Sequence, residues 1–363
     1  MTWEPEALFS PDYATARSRF LSAARAAGAT LESLPVDATG PGGEQLGIEI
    51  ARLGAPTATR VLLHTCGLHG VEGFAGAAVQ LAALVHPPAV PPGCALVLVH
   101  VLNPYGMAWL RRVNESNVDL NRNFPAPGHR REGSPPLYAR LDRLLNPPTP
   151  PSPDGFRWRL AMAGLRHGLR ALKQAIAEGQ YDFPRGLFYG GRMLEPGPRL
   201  YLDFLKRTLA SAERLFALDL HTGLGPHGDA TVILEAGAGA TPPAELARAL
   251  GRRLVDPATG GAAYRIRGGM GGSLGDSLPH SRIDFVLQEI GTRPAIAVLH
   301  ALREENRCHY HGGGLAHPAK RALFEVFCPS SPKWRLRAVE SGSALLHAAA
   351  GLTFGRQTGR QLS

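Results

Sequence analysis

Short apolar segments alternate with longer segments of helical pattern along most of this chain. Strand-like runs rich in Val, Ile and Leu occur near 47–51, 61–65, 95–102, 215–220, 230–235, 283–289 and 295–300. Helical patterns occupy 13–27, 73–85, 159–178, 198–213, 243–254, 316–327 and 333–349. Several apolar runs lack a polar alternation, which is typical of strands covered on both faces. The order predicts an α/β sandwich with a mixed or mostly parallel sheet.

The chain of 363 residues is expected to form one large domain, 1–363. With 44% hydrophobic and 19% charged residues, it can bury a sizeable core. The proline-rich stretch 146–153 predicts a surface connection, because proline disrupts helix and sheet interiors. A helical segment and the glycine-aromatic loop 183–191 follow it. We interpret 146–197 as an insertion on one rim of the sheet.

Charge and cysteine content narrow the class of protein. The formal net charge of +9 favours anionic partners, but the basic residues are scattered, without the aromatic-interleaved stripe typical of nucleic-acid binding. We therefore expect a small anionic substrate and no nucleic acid. The four cysteines have no CxxC spacing, which favours a reduced, cytoplasmic protein. No apolar run approaches the roughly 20 residues that span a bilayer, and no secretory signal is visible, so no membrane association is expected.

A histidine and a glutamate three residues apart follow the strand-like run 61–65. His69 and Glu72 flank a glycine turn that leads into the small, apolar helical segment 73–85. Side chains at this spacing can point at one spot, and both residue types are zinc ligands. An H-x-x-E pair is common by chance in a chain with 14 histidines, so it needs further partners.

Two later strand ends carry such partners. His221 ends the apolar run 215–220, at the carboxyl end of a strand, where open α/β sheets keep their sites. It completes a His₂Glu set that leaves a fourth zinc position for water. Asp219, two residues earlier, can orient a ligand or stabilise the strand end. Glu289 ends another apolar run, and burial of its carboxylate is costly without a charge or metal partner, so it is a candidate general base.

The loop segment 103–124 follows the run 95–102 and is rich in arginine and asparagine. It includes Arg111, Arg112, Asn121 and Arg122. Arginine offers a bidentate fork to a carboxylate, and asparagine adds an amide donor. One of these arginines can also stabilise an oxyanion. The alternative is an asparagine-rich turn that uses these side chains for local capping.

Taken together, these segments resemble the zinc carboxypeptidase superfamily. His69-x-x-Glu72, Asn121-Arg122, His221 and Glu289 follow one another in the order of that superfamily. The pieces Asp219-Leu220-His221 and Glu289-Ile290-Gly291 also look like the aspartoacylase and succinylglutamate desuccinylase branch. The chain is expected to belong to a bacterial group within this superfamily. The resemblance implies a three-layer α/β/α sandwich around a mixed, roughly eight-stranded sheet.

The resemblance also implies a set of catalytic roles. His69, Glu72 and His221 would bind one Zn²⁺ per chain. Glu289 would activate a zinc-bound water and pass its proton to the leaving amine. The expected activity is metallocarboxypeptidase-like hydrolysis of an amide bond next to a substrate carboxylate.

Four residues of the arginine- and asparagine-rich segment would contact the substrate. Arg112, or Arg111 because the register is ambiguous, would polarise the scissile carbonyl and hold the oxyanion. Asn121 and Arg122 would grip the substrate carboxylate. The superfamily's substrate-capping tyrosine has no clear equivalent, and Tyr189 or Tyr264 is the candidate to replace it.

Several functional alternatives stay open at this point. The substrate is either a small peptide that loses its carboxyl-terminal residue or an N-acyl amino acid, cleaved as in the desuccinylase branch. A zinc-binding protein without catalysis is a further reading, although Glu289 and the arginines argue against it. Gly271 to Gly275 also matches the G-x-S-x-G pattern of serine hydrolases, with Ser273 as nucleophile and Asp284 and His300 downstream. The preceding segment is a glycine loop, not the strand that such a motif requires.

Overall fold

A computed structural model describes residues 5–125, 130–234, 240–255 and 265–355. Eight strands form one sheet in the order β1-β2-β4-β3-β5-β8-β6-β7. Their bounds are β1 Thr30–Thr39, β2 Gln45–Gly54, β3 Arg60–Cys66, β4 Cys94–His100, β5 Arg214–Gly223, β6 Ala230–Leu234, β7 Leu254–Val255 and β8 Arg282–Gly291. The four central strands β4, β3, β5 and β8 are parallel, whereas β1, β2 and β6 pair antiparallel with a neighbour. The predicted mixed, roughly eight-stranded sheet is confirmed.

Thirteen α-helices and two short 3₁₀ helices surround this sheet in the described residues. The α-helices are α1 Pro5–Leu8, α2 Tyr13–Ala26, α3 Gly73–Val85, α4 Pro104–Ala108, α5 Pro136–Leu145, α6 Phe156–His167, α7 Leu169–Ala177, α8 Pro196–Thr208, α9 Pro243–Leu250, α10 Gly271–Ser277, α11 Ala295–Tyr310, α12 Pro318–Phe327 and α13 Pro332–Phe354. The 3₁₀ helices are Gly70–Glu72 and Leu120–Arg122. Within the described ranges, no helix combines the length and the apolar character that a membrane span requires.

Alternate residues of the central strands pack into two separate cores, one on each face of the sheet. On β3, Leu63 joins a cluster with Tyr201 of α8, whereas the neighbouring Leu62 joins a cluster with Leu346 of α13. Because successive side chains of a strand point to opposite faces, both faces must be covered by helices. The three layers are therefore helices, sheet and helices.

One predicted strand is wrong. The run 295–300 is the first part of helix α11, which continues to Tyr310. Among its buried residues, Val298, Ala301, Leu302 and Glu305 follow the helical spacing, and Pro294 stands immediately before the first turn. Six apolar-rich residues did not reveal this period, because the polar residues that complete it come later in the chain.

The predicted helix 159–178 is two helices. Gly168, with φ of +82°, separates α6 from α7 in a conformation that favours glycine. Buried Arg307 of α11 attaches the preceding proline-rich connection by donating to the carbonyl of Thr149, and Arg303 donates to the carbonyl of Leu144 at the end of α5. The connection thus packs on α11, and the interpretation of 146–197 as an insertion stays a prediction.

Candidate metal centre

The candidate site lies at the carboxyl ends of the parallel strands β3, β5 and β8. After β3 ends at Cys66, the chain turns so that His69 immediately precedes the 3₁₀ helix Gly70–Glu72. The turn is packed tightly, because a Cβ atom on Gly70 would lie 2.1 Å from the backbone of Gly106. On the neighbouring strands, His221 of β5 lies opposite Glu289 of β8. The sheet register therefore brings distant parts of the sequence to one edge.

Three buried side chains converge there. One possible ligand atom from each of His69, Glu72 and His221 lies within 4.8 Å of the others. Nδ1 of His69 lies 2.9 Å from Oε1 of Glu72, and Nδ1 of His221 lies 3.1 Å from Oε2. The two Nδ1 atoms are 3.1 Å apart. The structure thus brings together the three residues predicted as metal ligands.

Two aspartates orient the imidazole rings. Nε2 of His69 lies 3.2 Å from Oδ1 of Asp119, and Nε2 of His221 lies 2.6 Å from Oδ2 of Asp219. Because a carboxylate only accepts hydrogen bonds, each Nε2 carries the hydrogen. The Nδ1 atoms are then left to face each other and the Glu72 carboxylate. Only positive charge, a shared proton or a metal ion, satisfies acceptors this close together.

Electrostatics lead to the same conclusion. Burial lowers the pKa of His221, but Asp219 and Glu72 outweigh it and raise that pKa well above its usual value. Burial raises the pKa of Glu72, but the two histidines outweigh it and lower that pKa far below normal. The pocket therefore stabilises a cation between the rings and the carboxylate.

The donor set fits zinc. Two imidazole nitrogens and one carboxylate oxygen are typical of catalytic zinc sites, and a carboxylate behind each ligating imidazole is a common companion. Donor atoms in a tetrahedral site with bonds of 2.0–2.1 Å are about 3.3 Å apart. The observed separations of 2.9–3.1 Å are within a few tenths of an ångström of that value. His69, Glu72 and His221 are therefore suited to hold the ion.

Glu289 differs from the other carboxylates of the site. Its side chain is partly exposed, and Oε1 accepts a hydrogen bond of 2.7 Å from the backbone N–H of Leu224. Burial and the negative charge of Glu72 raise the pKa of Glu289 to about 7, despite the opposing charges of His221 and Arg112. A carboxyl group with this pKa can both accept and donate a proton near neutral pH.

Arg112 lies beside the cluster. Its Nε and Nη2 atoms donate to Oδ2 of Asp119 at 3.2 and 3.1 Å, and Nη1 donates to Oε1 of Glu72 at 3.2 Å. The guanidinium also lies 5.5 Å from the centre of the Phe188 ring. With 12% of its side chain exposed, it remains accessible to a substrate atom.

Arg111 has different surroundings. Its side chain is fully buried, and it donates to Glu305 at 2.9 Å, to Asn117 at 3.0 Å and to Asn306 at 3.3 Å. These partners join the arginine loop to α11. The burial argues against the predicted substrate contact of Arg111 and favours Arg112 as the oxyanion residue.

Arg122 is also committed to the protein interior. It is 1% exposed, its Nε and Nη2 atoms donate to the carbonyl of Ala177, and Nη1 donates to the carbonyl of Asn121. Its guanidinium lies 5.8 Å from the centre of the Phe188 ring, the ring that Arg112 also contacts. Asn121 is 7% exposed and lies next to the glycine loop at Gly269. A carboxylate contact by these two residues therefore requires this part of the site to open.

The tyrosine candidates differ in what the structure says of them. The side chain of Tyr189 is 6% exposed and packs in the hydrophobic cluster between the sheet and α8. Its backbone carbonyl accepts a hydrogen bond of 2.7 Å from the N–H of Asp119. This packing supplies a structural role and argues against substrate contact in this conformation. Tyr264 lies outside the described residues.

Sequence reasoning assigned no role to two residues that contact the site. Asp119 holds both His69 and Arg112, and its place two residues before Asn121 in the same segment was the available signal. Phe188 contacts two arginines and has a φ of +56°, rare for a residue with a bulky side chain. The sequence marks only the glycine-aromatic loop 183–191 that contains Phe188, because the contacts of this ring depend on residues far along the chain.

The serine-hydrolase alternative is not assembled in the structure. The Ser273 hydroxyl donates to the carbonyl of Met270, and within the part of the chain that is described it makes no hydrogen bond to His300 or Asp284. The Asp284 carboxylate instead accepts from Arg214 at 2.7 Å. The three residues of the predicted triad thus lack the hydrogen bonds that a triad needs.

Comparison with known proteins places the chain in a family. The family model described as "Protein of unknown function (DUF2817)" matches residues 9–341. The chain belongs to this family. No curated protein matches the sequence.

Solved structures show which fold this DUF2817 chain has. Bovine thrombin-activatable fibrinolysis inhibitor, solved with tick carboxypeptidase inhibitor, is similar with a TM-score of 0.53 and 11% identity over 95% of this chain and 97% of that one. Carboxypeptidase A from Helicoverpa armigera has a TM-score of 0.48 and 13% identity over 94% and 74% of the two chains. Murein-tripeptide amidase from Escherichia coli O157 has a TM-score of 0.39 and 18% identity over 76% and 91%. The predicted carboxypeptidase-like resemblance is confirmed at the level of the fold.

Proposed function

We propose that this protein is a zinc-dependent hydrolase that cleaves an amide bond next to a substrate carboxylate. The observation that carries the proposal is the convergence of His69, Glu72 and His221 beside Glu289 and Arg112. Three acceptor atoms that require a cation, a partly exposed carboxyl group and an accessible guanidinium form the set of groups that metal-assisted amide hydrolysis uses.

His69, Glu72 and His221 would hold the ion, with Asp119 and Asp219 keeping both Nδ1 atoms turned inward. Bound there, zinc supplies a Lewis acid that polarises a carbonyl and lowers the pKa of water. The residues around it determine which protons move and where charge is stabilised.

Glu289 would serve as the general base. Its raised pKa, about 7, lets the carboxylate take a proton from the attacking water at neutral pH. The same group can then return that proton to the leaving nitrogen. Its hydrogen bond to the Leu224 N–H holds Oε1, so Oε2 is the oxygen left for proton transfer.

Arg112 would stabilise the negative charge that develops on the carbonyl oxygen. Asp119 holds two of its nitrogens, so the guanidinium is oriented before substrate arrives.

The murein-tripeptide amidase and the carboxypeptidase A among the similar structures are named for amide and peptide cleavage. Carboxylate recognition by Asn121 and Arg122 stays a prediction; the substrate experiment tests whether the enzyme requires a carboxylate.

The test uses zinc-loaded protein and paired substrates. Short peptides and N-acyl amino acids are each offered with a free carboxylate and as the carboxamide. We expect hydrolysis of the carboxylate forms, and the preferred class decides between peptidase and N-acyl amidohydrolase. Glu289→Gln should retain zinc, but its kcat should fall about 10²–10⁴-fold, which is the usual contribution of a general base. Glu340→Gln, an exposed carboxylate on α13, is the matched control and should keep full turnover.

Metal analysis provides the second arm. His69→Ala and His221→Ala should lose stoichiometric zinc. Full zinc content in either variant, or wild-type turnover in Glu289→Gln, would falsify the proposal. Zinc binding without hydrolysis of any member of both substrate sets would instead indicate the non-catalytic alternative.

A further inference from the structure

A row of arginines lies at the edge of the sheet opposite the metal centre. Arg60, Arg214 and Arg282 are the first residues of the adjacent parallel strands β3, β5 and β8. The sheet register pairs Arg60 with Arg214 and Arg214 with Arg282. Register partners point to the same face, so all three side chains leave the sheet on one side.

The same three arginines line a cavity of about 320 Å³. Its other walls are formed by Leu352 and Thr353 near the end of α13 and by Glu213. A concavity of this size is large enough for a small ligand. The leucine gives it an apolar wall beside the three cationic groups.

This arrangement costs stability unless something compensates for it. Like charges directly opposite each other on neighbouring strands repel, since their side chains lie only about 5 Å apart. Arg214 has a partner, because Asp284 accepts from its Nη2 atom at 2.7 Å. Among the described residues, Arg60 donates only to the neutral carbonyl of Phe354, at 3.3 Å. Within the described part of the chain, the Arg282 guanidinium has no hydrogen bond or ion pair.

From the cavity, the register and the lack of an ion pair for Arg60 and Arg282 among the described residues, we propose that this edge of the sheet is a binding site for a small phosphate-bearing anion. Arg60 and Arg282 flank the centre of the row and would grip the phosphate oxygens from both sides. Guanidinium groups suit this role, because their N–H groups match the oxygens of a phosphate in pairs. The organic part of such a ligand would pack against Leu352.

The site is separate from the metal centre but lies on the same strands. Arg214 and His221 are seven residues apart on β5, and Arg282 and Glu289 are seven apart on β8. At about 3.3 Å per residue, the two ends of the strands are roughly 23 Å apart. The proposal therefore does not rest on the hydrolase function, and it is tested without any substrate.

The experiment measures phosphate binding and thermal unfolding of the full chain. Inorganic phosphate is titrated calorimetrically at constant ionic strength into wild type, Arg60→Gln/Arg282→Gln and the exposed-surface control Arg248→Gln. We expect the double variant to bind phosphate at least about tenfold more weakly, since it lacks two charge-assisted contacts. The control variant should bind as wild type does.

Thermal unfolding should rank the variants differently without and with phosphate. Without phosphate, the double variant should unfold roughly 1–2 °C higher than wild type, because the repulsion is relieved. With phosphate, only wild type and the control should gain stability. The proposal is overturned if wild type does not bind phosphate more tightly than chloride. It is equally overturned if the double variant binds phosphate as the control does, which would place the anion elsewhere, for instance at the metal centre.

Discussion

Asp219 should control the metal affinity of the candidate centre although it is not a ligand. Its Oδ2 atom accepts from Nε2 of His221 at 2.6 Å, and its Oδ1 atom accepts from the Thr65 hydroxyl at 2.6 Å. Asp219→Asn keeps an acceptor for the ring but removes the negative charge, which should weaken zinc binding about tenfold, or about 1.4 kcal/mol. Asp219→Ala removes both orientation and charge, and should weaken it about 100-fold.

Competition with a chelator of known affinity measures this effect. Zinc is titrated into each variant in the presence of the chelator, and the dissociation constant is taken from the shared equilibrium. Thr65→Val is the matched control, because it removes the hydroxyl that donates to Asp219 but leaves the Asp219 carboxylate beside His221 in place. Its effect on zinc affinity should be clearly smaller than that of Asp219→Asn.

The order of the variants is as informative as the size of the effect. The expected order of zinc affinity is wild type, Thr65→Val, Asp219→Asn and then Asp219→Ala. Wild-type zinc affinity in Asp219→Ala would refute the reasoning, since the imidazole would then need no carboxylate to present Nδ1. Equal losses in Thr65→Val and Asp219→Ala would show that general disruption, not ring orientation, controls binding.

Two predictions concern stability. Gly70→Ala should lower the free energy of unfolding by about 3 kcal/mol, because the new Cβ would lie 2.1 Å from the Gly106 backbone. Gly275→Ala, with open space around the new Cβ, should not lower it. Urea denaturation of both variants checks this. Burial lowers the pKa of His64 to about 4 and that of His100 to about 3. Below pH 6.5, therefore, both imidazoles bind a proton in the unfolded chain but stay neutral in the folded chain until these lower values are reached. Their contribution to stability is therefore complete above pH 6.5 and is lost on acidification, at up to about 1.4 kcal/mol per pH unit for each imidazole. Urea denaturation at pH 7 and pH 5 should show a slope that His100→Gln reduces, and an unchanged slope would contradict this assignment.

The sequence alone predicted the main part of the fold because central strands leave a strong local signal. Residues 95–99 of β4, for example, are all apolar and divide between the two cores, since both faces of a central strand are buried. The run 295–300 has similar composition but begins the helix Ala295–Tyr310. Over six residues a buried strand and the start of a helix look alike, and only the packing of later residues separates them.

The candidate metal centre, too, was predicted in part from local sequence and in part only by the tertiary structure. The spacing of His69 and Glu72 and the place of His221 at a strand end are local properties, so the sequence by itself was enough to nominate them. Tertiary structure decided which neighbouring arginine lies beside the cluster, because Arg111 is held in the interior by α11 and Arg112 is not. Contacts between residues far apart in the chain leave no spacing to read, and only the folded backbone, through its strand register and loop packing, brings them together.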